Sequence, residues 1–173
     1  MSEIIRLIPS NTASDSIEKL TEKVEEKPYI TLPTFIRERN NVLYVINSLK
    51  TGQNIGLISL YDINTINQNA CIDGFVFDES YTQELVIGYI QLIHMGMVDM
   101  KLNRIYAKHL IGNSYYKRIY DFLRFTLEGD LREDVKRLGK FYSVQVRSLL
   151  QHEFKRVYLS GDKIRKMCNL DGF

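Results

Sequence analysis

The chain has 173 residues, 45% of them hydrophobic, enough for one well-buried domain and short for two. A formal net charge of +2 is too small to build the basic stripe of a phosphate-reading surface, so nucleic acid is not an expected partner. Cys71 and Cys168 stand in unlike contexts, which suggests neither a disulfide framework nor a zinc site and fits a reducing cytoplasm.

Residues 1–8 mix Glu3 and Arg6 into a short apolar run with no small-residue cleavage site after it, so no secretory leader is expected and the protein is read as cytoplasmic. Ile4, Ile5, Leu7 and Ile8 predict a first strand that Pro9 ends, because proline cannot donate to a central ladder. Ser14 or Asp15 caps a predicted helix through Glu26, with Ile17, Leu20 and Val24 facing inward and its many charges solvated. Pro28 and Pro33 punctuate the loop that follows.

Runs 42–49 and 55–63 are rich in β-formers and joined by Lys50-Thr51-Gly52-Gln53, a hairpin signal, and a third run covers 70–77. Linked in sequence, the three predict an antiparallel meander. The most apolar window, 85–100, is interrupted by Gln91 and His94 and falls short of the roughly 20 residues that span a bilayer. It reads as a core helix, and no membrane partner is expected.

The stretch 103–129 reads as strand, helix and strand. Ile105, Ala107, His109 and Ile111 alternate with more polar neighbours, and Gly112 and Asn113 stop the strand, Asn113 being a good N-cap. Tyr116, Ile119, Tyr120 and Leu123 then fall on one helical face before Arg124 and Phe125 restart an extended segment. His94, His109 and His152 show no metal-ligand spacing, and Ser114 lacks the histidine and aspartate of a nucleophilic triad.

Asn113 with Tyr120 seven residues on, then Phe125, Glu128-Gly129, Leu131-Arg132-Glu133 and a last strand predicted over 142–154, resembles the C-terminal half of the GNAT acyltransferase superfamily. The pattern is roughly N-x-x-A-x-x-x-Y-x-x-x-G-F followed by E-G-x-x-R-E. It points to the branch of ribosomal-protein N-terminal acetyltransferases and many small-molecule amine acetyltransferases, and the match runs over 41–154. The resemblance implies an α+β fold, a GNAT-like mixed and mostly antiparallel sheet of about seven strands with helices on both faces. One domain is expected over 1–154, with a basic extension over 155–173 carrying Lys155, Arg156, Lys163, Arg165 and Lys166. That extension is read as a solvated tail, or else as an arm closing the acceptor site or a homodimer interface.

By the same resemblance the activity is acyl-CoA-dependent N-acetylation, with acetyl-CoA as donor and the primary amine of a small molecule, such as an amino sugar, as acceptor. A protein N-terminal acetyltransferase and a GNAT-like binding or assembly module without catalysis are the alternatives. Phe75, Val76 and Phe77 are the implied strand that pairs with the pantetheine arm, a backbone N–H near Phe77 polarises the thioester carbonyl, and Thr82, Gln83, Glu84 and Leu85 are the implied pyrophosphate loop. That loop departs from the family's R/Q-x-x-G-x-G/A: no glycine precedes Gly88, and either Tyr81 matches the aromatic before the motif or Leu85 takes its last small position. Glutamine and leucine side chains there are expected to crowd the phosphates, and Glu84 either adds a negative charge near them or points to solvent, where screening weakens its effect. Asn113 is implied to contact the donor, although an N-cap explains it equally. Tyr116 stands where the family often has a small residue. Tyr120 is the implied general acid for the departing thiolate, against a core-facing tyrosine as the plain alternative. Asp62, Asp73 and Glu128 are unranked candidates for the base.

Overall fold

Residues 4–12 and 41–159 are described in a computed structural model of the protein. Seven strands among them form one sheet: β1 (Ile5–Pro9), β2 (Val42–Ser48), β3 (Asn54–Asn64), β4 (Asn69–Val76), β5 (Arg104–Leu110), β6 (Thr126–Arg137) and β7 (Lys140–Leu150). Their spatial order is β1-β2-β3-β4-β5-β7-β6, and every neighbouring pair is antiparallel except β4 with β5. This is the expected α+β architecture. The expected helix over 15–26 lies outside the described residues.

The hairpin read from Lys50 to Gln53 forms as expected: Gly52 adopts φ +70°, and its N–H donates to the Ser48 carbonyl at 2.7 Å. Alternate residues of the meander, Ile58 and Leu60 on β3 and Ala70, Ile72 and Val76 on β4, enter one core cluster. Helix α1 (Thr82–His94) lays Leu85, Tyr89, Ile90, Leu92 and Ile93 into the same cluster, and helix α2 (Ser114–Phe122) adds Ile119 and Tyr120. Each fully buried Leu or Ile contributes roughly 1.5–3 kcal/mol. Close approach at the end of α1 depends on Gly96, where a Cβ would lie 2.9 Å from the Ile105 side chain.

The last strand differs from expectation. It ends at Leu150 rather than 154, because the Glu153 carboxylate accepts the Leu150 N–H at 2.9 Å and turns Gln151–Phe154 into a short helix, α3. The chain continues helically through Lys155–Leu159. Tyr158, beyond the expected domain boundary, is fully buried, stacks on Phe154 with centroids 5.0 Å apart, and donates to the Leu123 carbonyl at 2.8 Å.

Candidate active site

The site originates in a split of the sheet. Strands β4 and β5 pair only as Asn69↔Arg104, Ala70↔Ile105 and Cys71↔Tyr106, whereas β3 follows β4 up to Val76 and β7 follows β5 up to Leu110. Beyond Cys71, β4 therefore lacks its β5 neighbour. Buried backbone groups left by such a split need other partners. At Gly74 side chains supply them: the Gly74 N–H donates to Asp73 Oδ1 at 2.8 Å, and the Gly74 carbonyl accepts from the Tyr89 hydroxyl at 3.2 Å and the Tyr116 hydroxyl at 3.0 Å.

Tyr120 sits behind this point. The N-cap at Asn113, whose Oδ1 accepts the Tyr116 N–H at 3.2 Å, sets the start of α2 and so the face on which Tyr116 and Tyr120 fall. The Tyr120 ring is fully buried, stacked with His109 (5.7 Å) and Tyr116 (6.2 Å) and tilted on Phe125 (5.5 Å). Its hydroxyl lies 3.2 Å from that of Tyr89, so a chain of hydroxyls runs from Tyr120 through Tyr89 to the Gly74 carbonyl. Burial, and then the Asp73 charge, push the Tyr120 phenol well above its ordinary value, so it remains a neutral proton donor throughout the physiological range.

The predicted loop behaves otherwise than its sequence suggests. Asp78 caps a short turn, Glu79–Tyr81, by accepting the Ser80 N–H at 2.8 Å, and α1 begins at Thr82. Glu84 does not point to solvent: it is 3% exposed and pairs with Lys50 of the hairpin at 3.4 Å. Leu85 is fully buried in the core and does not crowd the loop. Of the expected donor-binding side chains here, Thr82 and Gln83 face outward; they line a cavity of about 570 Å³ with Glu79, Val86, Tyr115, Arg118, Ile119 and Phe122. Tyr115 bridges its two sides, its hydroxyl 3.0 Å from Thr82 Oγ1.

Phe75 and Val76 are buried and Phe77 is partly so. The Phe77 N–H donates to the Ile55 carbonyl at 3.0 Å, which removes it as the group that polarises a thioester. Gly74, three residues earlier, carries the amide that faces a side chain instead of a strand. Among the candidate bases, exposed Asp62 accepts from the Tyr106 hydroxyl at 2.5 Å. Glu128 is held by Arg104 and by Ser148 at 2.7 Å, and the Arg104 guanidinium keeps its carboxyl below the usual range. Asp73 alone of the three lies on β4 at the split, and its charge adds to burial in raising Tyr61, Tyr89, Tyr116 and Tyr120. Burial pushes the neighbouring Cys71 thiol up to about 12, so it is no nucleophile.

His109 supports the site from beneath. Arg147 Nε donates to its Nε2 at 3.2 Å, and Nδ1 faces the Leu110 carbonyl at 3.1 Å, which assigns a neutral ring protonated at Nδ1. Burial lowers its basicity accordingly. Sequence reasoning missed Tyr89 and Arg118. Tyr89 lies within the apolar window 85–100, which signals only a core helix, and Arg118 stands beside Lys117 with no motif around it.

Neither a family model nor a curated protein matches this sequence. Solved structures do match its fold. A protein described as "Probable acetyltransferase" superposes with a TM-score of 0.73 at 20% identity, covering 88% of this chain and 96% of its own. A chimera of the spermidine N-acetyltransferase SpeG from Vibrio cholerae and hSSAT gives 0.73 at 15% identity, over 90% of this chain and 100% of its own. The spermidine/spermine N-acetyltransferase SpeG from Vibrio cholerae, solved with manganese ions, gives 0.69 at 19% identity, over 91% and 98%. The chain thus has the fold of these acetyltransferases.

Proposed function

We propose that this protein moves an acetyl group from acetyl-CoA to the primary amine of a small molecule. The observation that carries the reading is the unpaired edge of β4 at Gly74, served by side chains on both its amide and its carbonyl and backed by the buried hydroxyl of Tyr120. The amine-acetylating proteins that share the fold support the same class of reaction.

Acetyl-CoA supplies an activated acyl group as its thioester. The β4 edge from Gly74 through Phe75, Val76 and Phe77 takes the extended arm, and the cavity beside Thr82, Gln83 and Arg118 takes the nucleotide end. Arg118 there offers positive charge in place of the absent glycines, and the main-chain N–H groups of Glu84 and Leu85 remain the only part of those residues able to serve. Asn113 contributes by fixing the start of α2. The carbonyl under attack takes the Gly74 N–H in place of Asp73 Oδ1, the Asp73 carboxylate so released receives the proton of the incoming ammonium, and Tyr120 donates to the departing thiolate. Most of the acceleration comes from holding amine and carbonyl together.

The phenols that fill the split favour a second reading, a domain of this fold that binds without transferring. One experiment separates the two. Under the transferase reading acetyl-CoA raises the melting temperature in a concentration-dependent way, and mass spectrometry finds acetylated product with spermidine or an amino sugar but less with a peptide N-terminus. No shift at millimolar acetyl-CoA and no product with any acceptor would overturn the transferase reading in favour of the non-catalytic one.

A further inference from the structure

We infer that Tyr116 is a latch on the donor site, closed in this structure, whose hydroxyl must leave the Gly74 carbonyl before a donor arm can pair with β4. The inference rests on the transferase reading above. Gly74 O already accepts two phenolic hydroxyls, from Tyr89 at 3.2 Å and Tyr116 at 3.0 Å, which occupies both lone pairs of a carbonyl. Any ligand that bonds to this carbonyl has to displace one of them.

The two phenols differ in their freedom to move. Tyr89 is fully buried and its hydroxyl is shared with Tyr120. Tyr116 is only partly buried and lies in the first turn of α2. It also stands between the two halves of the site. On one side its ring meets Tyr115, which lines the cavity, at 5.3 Å edge to face; on the other it stacks on Tyr120 at 6.2 Å. Its ring thus lies between a residue that lines the cavity and the tyrosine behind the split.

Closure therefore lowers donor affinity by the share of molecules in which the latch is shut. It also keeps both lone pairs of the Gly74 carbonyl satisfied when no ligand is there.

Isothermal titration with CoA of the wild-type chain, Tyr116→Phe and Tyr116→Ala tests the latch, with melting curves of the ligand-free proteins confirming that each is folded. Tyr116→Phe removes one hydrogen bond from the closed state and should tighten CoA about 5-fold. Tyr116→Ala removes the ring as well and should tighten it by about 10-fold or more, with faster association in stopped flow. If the wild type binds CoA and neither variant binds more tightly or faster, the latch is wrong and the transferase reading stands. If none of the three binds CoA at millimolar concentration, both fall together.

Discussion

Tyr120 concentrates the question of chemistry against packing in one hydroxyl. It meets the Tyr89 hydroxyl at 3.2 Å, and Tyr89 keeps its own bond to Gly74, so Tyr120→Phe leaves the buried carbonyl served. The substitution should cost at most about 0.5–1.5 kcal/mol of stability while lowering kcat by about 10²-fold. Denaturant unfolding and steady-state kinetics on the same variant give both numbers. Because burial raises the phenol far above its ordinary value of about 10, the kcat profile should show no alkaline limb from this group below about pH 10. A limb at that pH that vanishes in Tyr120→Phe would mean a solvent-exposed phenol. His109 titrates on the other side. Its folded basicity is lowered, so below about pH 6.5 the unfolded chain takes up a proton that the folded chain resists. Its contribution to stability is full above that pH and declines as pH falls toward the folded value. Melting temperature should drop between pH 7.5 and 5.5, and His109→Gln, which keeps an acceptor for Arg147, should flatten that slope.

At the scale of elements, the helical segment after β7 and the hairpin beside α1 each hold something the sequence placed elsewhere. Truncation after Phe154 deletes Tyr158, fully buried and bonded to Leu123 O, and should cost about 3 kcal/mol or more, comparable to removing a core aromatic. Truncation after Leu159 retains Phe154 and Tyr158, which makes it the sounder control for any role of the basic extension. Lys50 holds the Glu84 carboxylate at the first turn of α1 from the β2–β3 turn, with its own side chain 58% exposed. Lys50→Met should destabilise by about 1 kcal/mol, less than for a fully buried pair because solvent screens the lysine. Adding Glu84→Gln should recover most of that loss, since it removes the charge left behind.

Over the whole molecule, what the sequence disclosed and what it withheld divide by range of contact. Gly52 in the hairpin, the Asn113 cap and the helical face of Tyr116, Ile119 and Tyr120 are local features, and each is where spacing puts it. The parting of β4 from β5 is not local: it depends on residues 69–71 meeting 104–106, and no residue type announces where a pairing stops. For the same reason the Tyr116–Gly74 bond, 42 residues apart in sequence, leaves no local signal, and nothing beside Glu84 announces its partner, since Lys50 lies 34 positions away across a hairpin. The end of β7 was misplaced because Leu149, Leu150 and Phe154 look alike as strand or helix until the Glu153 cap is seen.

The most direct test of the central claim is release of free thiol when the wild-type chain is mixed with acetyl-CoA and a primary amine such as spermidine. The split sheet with Tyr120 behind it predicts steady release that depends on the amine, saturates in both reactants and falls about 10²-fold in Tyr120→Phe. Release no faster than without protein, for spermidine and an amino sugar alike, would contradict it.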